Sequence, residues 1–262
     1  MTDLLRLSSV EKRFGGLRAV GGVSFDVPEG SIFGLIGPNG AGKTTVFNLI
    51  TGVYQADQGT IRLAERELVG LQPAQIAAAG VARTFQNIRL FASMTVLENV
   101  LVAGELRRRS HFLGEIARSK IAREDEELVR TRAAELLAAM GLAGQEEAMA
   151  TSLPYGSQRR LEIARALMLA PKLLLLDEPA AGLNYGEAET LKEQIRSLRD
   201  RYELTVVLVE HNMQVVMGVC ERIHVLDHGI TLAEGTPAEI KSHPKVIAAY
   251  LGEDLDETEA EA

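Results

Sequence analysis

The sequence contains a single cysteine, no long hydrophobic run and no recognisable export signal. The lone Cys220 excludes an internal disulfide and a metal site built from clustered cysteines. Its apolar, helical surroundings predict a buried core thiol. No stretch approaches the roughly 18 apolar residues that a membrane span requires, and the first residues lack the basic, apolar, small-residue order of a secretory signal. We therefore expect the protein to stay inside the cell.

An excess of basic residues is also missing. The 28 Lys and Arg are outnumbered by 36 Asp and Glu, and the net charge at pH 7 is −8. This balance argues against a nucleic-acid-binding protein. The acidic residues are dense in segment 252–262, which we expect to be a solvated tail on a nearly neutral body. The acids of this segment are Glu253, Asp254, Asp256, Glu257, Glu259 and Glu261.

The length of 262 residues suits one α/β domain, or a core with a smaller insert. The first third reads as short strands at residues 4–7 and 23–27, followed by a buried strand at residues 31–36. A glycine-rich loop comes next, and residues 44–50 then have a helical pattern that ends at Gly52.

Residues 87–152 are mostly helical in pattern, and we interpret them as a helical insert in the α/β core. The clearest example is segment 124–140, where Leu128, Leu136, Leu137 and Met140 recur at helical spacing. A second series of strands follows. It is predicted at residues 173–176, 205–209, 223–226 and 230–233.

Residues 37–44 fit the pattern G-x-x-x-x-G-K-[ST], and they follow a predicted strand and open a predicted helix. Glycines let the backbone curl until successive N–H groups point inward at an anion, and the helix dipole adds to the attraction. Lys43 is predicted to hold the β- and γ-phosphates, Thr44 to ligate Mg²⁺, and Thr45 to donate to the α-phosphate. The predicted loop comprises Gly37, Pro38, Asn39, Gly40, Ala41, Gly42, Lys43 and Thr44.

Two further strand ends carry polar groups that suit phosphate chemistry. Asp177 and Glu178 end an apolar strand, and His211 closely follows the next one. In open α/β sheets, ligands gather at the carboxyl ends of the strands, where the phosphate loop also lies. We predict that Asp177 orients Mg²⁺, that Glu178 is the general base for the attacking water, and that His211 senses the γ-phosphate.

These motifs together resemble the ABC ATPases, and two more segments make the resemblance specific. Residues 153–167 look like the family's signature segment, and residues 84–86 look like its glutamine loop. Phe14 matches the aromatic residue that stacks on adenine, and stacking contributes ~1–3 kcal/mol per base. The resemblance runs from about residue 4 to residue 251, with the motifs in order.

The resemblance implies a P-loop (RecA-like) ABC ATPase core of the α/β class, with an antiparallel β subdomain and an inserted α-helical subdomain. The implied division is a first core part at 1–86, a helical subdomain with the signature at 87–158, a second core part at 159–240, and a C-terminal helix and acidic tail at 241–262. Segment 90–100 is expected either to line a groove for a helix of a membrane partner or simply to pack as a helix.

The resemblance also implies a mechanism and its cofactors, ATP and Mg²⁺. Such domains pair head to tail, so that ATP lies between the phosphate loop of one subunit and the signature helix of the other. Gln86 would connect the γ-phosphate and the metal to the surface that contacts the membrane partner. By the same resemblance, Ala19 would contact nucleotide in its own subunit, and Tyr155, Gly156 and Ser157 would contact the partner's ATP.

Two departures from the family pattern stand out. Pro154, Tyr155 and Ser157 replace the serine, first glycine and glutamine of the usual Leu-Ser-Gly-Gly-Gln. Pro154 offers neither a hydroxyl nor an N–H, so either Ser157 and the Gly156 N–H compensate or the composite site is weaker. Asn184 stands where the family commonly has aspartate.

Within the family, the combined motifs and the insert at residues 107–114 resemble the larger ATPase subunit of bacterial branched-chain amino acid importers. This resemblance implies a second ATPase subunit, identical or different, two membrane permeases and, indirectly, an external solute-binding protein. It places the chain at the cytoplasmic face of the membrane. Urea or amide uptake, lipopolysaccharide export and a soluble non-transport ABC ATPase remain alternatives.

Overall fold

The computed structural model describes residues 2–104 and 120–250. The expected insert at 107–114 and the expected acidic tail at 252–262 lie outside the described residues. The strands are β1 (Asp3–Phe14), β2 (Leu17–Pro28), β3 (Ile32–Ile36), β4 (Gln58–Leu63), β5 (Arg66–Glu67), β6 (Val81–Arg83), β7 (Leu173–Asp177), β8 (Thr205–Val209), β9 (Arg222–Asp227) and β10 (Ile230–Gly235). The helices are α1 (Lys43–Ile50), α2 (Pro73–Ala78), α3 (Val96–Gly104), α4 (Lys120–Ala139), α5 (Tyr155–Met168), α6 (Tyr185–Tyr202), α7 (Met213–Val219), α8 (Pro237–Lys241) and α9 (244–250).

The strands form two sheets. The first is antiparallel, with the order β2-β1-β4-β5, and the second has the order β10-β9-β3-β8-β7-β6. In the second sheet the pairs from β9 to β6 are parallel, and β10 adds an antiparallel edge. The phosphate loop follows β3, the acid pair ends β7 and His211 follows β8, so the parallel order brings all three to one edge.

The parallel sheet separates two apolar cores. One core joins the antiparallel sheet to α1 and to one face of the parallel sheet, through side chains such as Phe25, Phe33 and Phe47. The other core joins the opposite face of the parallel sheet to helices α3 to α7, through side chains such as Leu136, Leu167 and Ile195. Strands β3, β7 and β8 are buried along their whole length, as their continuous apolar runs predict.

The helical region departs from the sequence prediction at two places. Its first helix begins only at Val96, because Thr95 and Glu98 form reciprocal side-chain to backbone hydrogen bonds of 3.2 and 2.8 Å that start the helix there. The segment predicted to line a groove for a partner helix therefore begins with irregular residues, 90–95, rather than with a helix.

The second departure is in α4. Leu128, predicted as part of the apolar face of this helix, is 73% exposed, while Leu136, Leu137 and Met140 are buried.

The predicted division of the chain into four parts stays a prediction. The boundary at residue 158 falls inside α5, whose hydrogen-bonded turns run from Tyr155 to Met168.

Among the described residues, no helix combines the length and apolar character needed to cross a membrane. Cys220 is buried at the end of α7, and burial raises the pKa of its thiol to about 12, as expected for an unreactive core cysteine.

Candidate functional site

The backbone shape of the phosphate loop favours glycine at two positions. Gly42 has φ +99°, and a Cβ added there would lie 2.6 Å from the Ala19 carbonyl oxygen. Gly40 also has positive φ, +75°. These backbone angles favour glycine, and they turn the chain tightly between the end of β3 and the first turn of α1. The loop is thereby placed where the N-terminus of α1 faces the open end of the sheet.

Lys43 lies at the start of α1 with its side chain folded back over the loop. Its ammonium Nζ donates to the carbonyl oxygens of Gly37 at 2.6 Å and Pro38 at 2.8 Å. The residue is buried, so bulk water screens its charge less and the charge acts more strongly on groups at the loop. A compact ammonium held in this way suits recognition of a terminal phosphate as a point charge.

A cavity of about 560 Å³ opens in front of the loop. Its volume is in the range of small-molecule sites. It brings together predicted site residues from four separate parts of the chain. Those that line it are Phe14, Ala19, Asn39, Gly40, Ala41, Gly42, Lys43, Thr44, Thr45, Gln86 and Glu178.

Three lining residues were missed by the sequence reasoning. Leu17, Arg18 and His228 also face the cavity. Arg18 is close to Phe14 in sequence and adds a cation to the wall, whereas His228 reaches the cavity from the turn after β9. The position of Arg18 beside the aromatic residue was a usable signal, while nothing in the sequence placed His228 here. The predicted Gly37 and Pro38, the first two residues of the loop, are buried and do not line the cavity.

Phe14 is 41% exposed at the rim of the cavity, and its ring is held from behind. Tyr54 packs edge-on against it with ring centroids 5.0 Å apart, and the Lys12 ammonium lies 5.5 Å from its ring centre. Lys12 is itself fixed by a 2.8 Å ion pair with Asp57. The exposed face of Phe14 is therefore a supported platform of the kind on which a nucleobase stacks.

Asp177 is buried at the carboxyl end of β7 and is held by a cation. The Arg83 guanidinium donates to Asp177 Oδ2 at 2.6 Å and to Asn48 Oδ1 at 2.7 Å. The backbone N–H of Asp177 donates to the Thr84 hydroxyl at 3.3 Å. The sequence reasoning missed Arg83, although its place just before the glutamine loop, on a strand beside β7, was a possible signal.

Glu178 has a left-handed backbone with φ +47°, an unusual conformation for a residue with a side chain. Its backbone N–H donates to the Val209 carbonyl at 2.8 Å, which ties it to β8. Its carboxylate oxygen Oε2 accepts from Gln86 Nε2 at 2.9 Å and lies 3.7 Å from His211 Nδ1. The other two predicted catalytic side chains, Gln86 and His211, thus converge on one carboxylate oxygen of Glu178.

The predicted signature residues lie elsewhere, at the start of α5. Tyr155 is exposed, whereas Gly156 and Ser157 are buried. The Ser157 hydroxyl accepts from Arg160 at 2.9 Å, and the Tyr155 hydroxyl accepts from Arg159 at 3.1 Å. These three residues do not line the cavity at the phosphate loop, and among the other site residues the signature helix reaches only the backbone of Gln86, through Arg159.

Helix α5 is bound to the glutamine loop by buried charges. Arg159 donates to the carbonyl oxygens of Phe85, at 2.6 Å, and of Gln86. The neighbouring Glu162 accepts from the Arg89 backbone N–H at 3.3 Å. Desolvation raises the pKa of Glu162, while this N–H and the nearby Arg159 lower it. The start of the signature helix and the glutamine loop are therefore connected in the same subunit.

Asn184 begins α6 and closes its first turn. Its side-chain oxygen accepts from the Glu187 N–H at 3.0 Å, and Glu187 accepts from the Asn184 N–H at 3.0 Å. Asparagine performs this capping as well as aspartate does.

The side chains predicted to hold a metal supply only oxygen donors. They are the Thr44 hydroxyl, the Gln86 amide and the Asp177 carboxylate, a set that suits Mg²⁺, which prefers oxygen ligands and retains several waters. Over the ranges 2–104 and 120–250, no group of three or more His, Cys, Asp and Glu side chains could hold a metal by itself. The donor set therefore fits an ion that is bound together with phosphate oxygens.

A phosphate loop between a parallel strand and a helix, an acid pair at the end of a strand two places away in the same sheet, and a separate signature helix define an ATP-binding cassette. The chain belongs to the ABC transporter family, whose model matches residues 20–181. It is an ATP-hydrolysing subunit of the transport type. A second model, described as branched-chain amino acid ATP-binding cassette transporter, matches residues 231–256.

Individual relatives agree with this membership. The chain is 49% identical over 250 residues to the high-affinity branched-chain amino acid transport ATP-binding protein LivG of Salmonella typhimurium, covering 95% of this chain and 98% of the relative. The ADP conformation of the ATP-binding cassette MJ1267 superposes with a TM-score of 0.84 at 33% identity, over 96% of this chain and 100% of that one. The dimeric post-hydrolysis cassette MJ0796, bound to ADP and Pi, gives a TM-score of 0.75 at 26% identity, over 89% and 98%.

Proposed function

We propose that this chain powers the import of branched-chain amino acids through separate membrane permeases. The observation that carries the proposal is the 49% identity to LivG of Salmonella typhimurium along almost the whole of both chains. The match of residues 231–256 to the branched-chain amino acid cassette model supports the same substrate class from the C-terminal segment. The substrate class is assigned through these relatives.

In the proposed cycle, the adenine of ATP stacks on Phe14 and its phosphates lie in the loop under Lys43. Thr44, Asp177 and Gln86 would hold Mg²⁺, which when bound neutralises charge that develops on the phosphate oxygens. Glu178 takes a proton from the attacking water, and Gln86 and His211 orient it on either side. The convergence of Gln86 and His211 on Glu178 Oε2 supports these roles.

The site is completed by a second ATPase subunit, which is either another copy of this chain or a related cassette. The start of α5 in one subunit would aim its N–H groups at the γ-phosphate held by the other. The position of Tyr155, Gly156 and Ser157 away from their own cavity supports this head-to-tail arrangement. The pair would lie at the cytoplasmic face of the membrane, below the permeases, which a solute-binding protein loads from outside.

The proposal is tested by measuring ATP hydrolysis by the chain alone and then with a candidate partner ATPase and permease encoded beside it. We expect strong stimulation in the assembled complex, and a further increase when a solute-binding protein loaded with leucine is added. Complexes that carry Glu178→Gln provide the background rate. Full activity of the isolated chain, indifferent to any membrane protein, would contradict the transport role.

Substitution of Pro154 tests whether the signature of this chain is weakened. A homodimer of the parental chain is expected to hydrolyse ATP slowly, because Pro154 offers neither a hydroxyl nor an N–H to the partner's phosphate. The Ser157 hydroxyl is buried against Arg160, which weighs against compensation by that group. We expect Pro154→Ser to raise kcat of the homodimer several-fold, measured by phosphate release. An unchanged or lower rate would mean that the backbone at Gly156 already supplies the contact.

A further inference from the structure

Glu210 is a fully buried carboxylate that none of the roles above uses. It follows the last residue of β8, directly before His211, and its exposed fraction is 0%. Burying a carboxylate is costly unless hydrogen bonds replace the water that it loses. The contacts of Glu210 therefore identify what the buried group holds in place.

The two carboxylate oxygens of Glu210 accept from two different loops. Oε1 accepts from the backbone N–H of Ala180 at 2.7 Å, in the loop that follows the acid pair. Oε2 accepts from the backbone N–H groups of His211 and Asn212, both at 3.1 Å. One side chain thus connects the loop that carries Glu178 to the loop that carries His211.

Both oxygens of the Glu210 carboxyl group are needed to meet the three donors. Burial raises the pKa of Glu210 and the Glu178 carboxylate adds to this rise, while the bonds from Ala180 and Asn212 lower it. A glutamine in the same place would keep one acceptor oxygen and turn its NH₂ towards an N–H donor of the other loop. At least one buried N–H would then lose its partner, and the two loops would separate locally.

The connection matters because the loops hold opposite sides of the hydrolysis site. Glu178 is two residues from Ala180, and its Oε2 lies 3.7 Å from His211 Nδ1. The 2.8 Å bond from the Glu178 N–H to the Val209 carbonyl fixes the backbone only where the two strands end. Beyond that point, the buried side chain of Glu210 spans the gap between the two loops with hydrogen bonds to both backbones.

We infer that Glu210 is a positioning residue that sets the separation of the general base Glu178 and the switch residue His211. This inference rests on the proposed role of both groups in ATP hydrolysis. Glu210 is not among the described residues that line the nucleotide cavity. Its loss should therefore lower kcat and leave the affinity for ATP unchanged.

The test compares Glu210→Gln with a matched variant, Glu239→Gln. Glu239 also accepts a backbone N–H, that of Thr236 at 2.7 Å, but it is exposed and lies in the first turn of the remote helix α8. For Glu210→Gln we expect kcat to fall about 10- to 100-fold, because misplacement of reacting groups by about 1 Å lowers rates by up to that factor. The KM for ATP should stay within about 2-fold of the parental value. Glu239→Gln should keep the parental kcat and KM.

A spectroscopic readout distinguishes positioning from general damage. In ¹H–¹⁵N spectra of the histidine rings, assigned with His211→Ala, Glu210→Gln should shift the His211 signals and leave those of the buried His224 unchanged. Parental kcat with unshifted His211 signals would overturn the inference. A parental protein that hydrolyses no ATP, even with its partner subunits, would contradict the proposed function instead, which keeps the two failures apart.

Two further measurements cover the case in which Glu210→Gln does not fold. Glu210→Asp keeps the charge but shortens the side chain by one methylene, so it should fold and still lose kcat, because it cannot reach both loops. In the parental protein, the amide hydrogens of Ala180 and Asn212 should exchange slowly with solvent, measured by NMR. Rapid exchange at both positions would overturn the inference without any substitution.

Discussion

Replacement of Glu178 by glutamine is expected to abolish ATP turnover while ATP binding is kept. Glutamine has nearly the same shape but cannot take a proton from the attacking water, and general-base catalysis typically contributes about 10²- to 10⁴-fold. Glu178 lines the cavity from the end of β7, whereas the phosphates would be held by the loop and Lys43. Single-turnover hydrolysis should therefore fall by that factor, while the nucleotide Kd stays near the parental value.

The same substitution should trap the closed dimer. A subunit that binds ATP but cannot hydrolyse it keeps the ligand that favours the closed state, so the population shifts towards the dimer. Size-exclusion chromatography with ATP and Mg²⁺ should show a dimer for Glu178→Gln and a monomer when ADP is supplied. Hydrolysis by the variant at the parental rate would show that Glu178 is not the base.

Replacement of Lys43 by alanine should remove most of the affinity for ATP. Lys43 is the cation that the loop holds in place, and hydrogen bonds to charged groups contribute about 1.5–3 kcal/mol each. Loss of contacts to two phosphates is expected to weaken binding by about 100-fold or more, since every 1.4 kcal/mol is a factor of ten. A fluorescent ATP analogue titrated against the folded variant measures the change.

Lys241→Ala is the matched control for this prediction. Lys241 lies in the last turn of α8, is exposed and is remote from the cavity. Its removal changes the net charge by the same amount, so any loss of affinity that both variants share would be a long-range effect of charge. Unchanged nucleotide affinity in Lys43→Ala would disprove the assignment of the phosphate loop.

The sequence was sufficient where function depends on neighbouring residues in one segment. The phosphate loop could be predicted because its glycines, lysine and threonine lie within eight positions that must adopt one backbone shape. Asp177, Glu178 and His211 could be placed at one edge because the carboxyl ends of parallel strands meet there. The roles of these residues remain predictions until the variants above are measured.

The sequence was insufficient where a side chain acts across a long distance along the chain. Arg83 reaches Asp177, 94 positions away, and Tyr54 supports Phe14 from beyond α1. Such contacts depend on which strands become neighbours, which local periodicity does not encode. The exposure of Leu128 was also missed for this reason. Helical spacing identifies the apolar face of α4, but it does not show how much of that face other elements cover.

The link between α5 and the glutamine loop should make the α5 positions less tolerant of mutation than the loop positions. Arg159 and Arg165 donate to backbone carbonyls of residues 85, 86 and 89, and Glu162 accepts a backbone N–H. Every non-proline residue supplies the same backbone groups, so most changes of side chain in the loop leave this link intact. Changes at the three α5 positions break it. A saturation library selected for function should therefore retain Arg159, Glu162 and Arg165 while admitting variety at position 89.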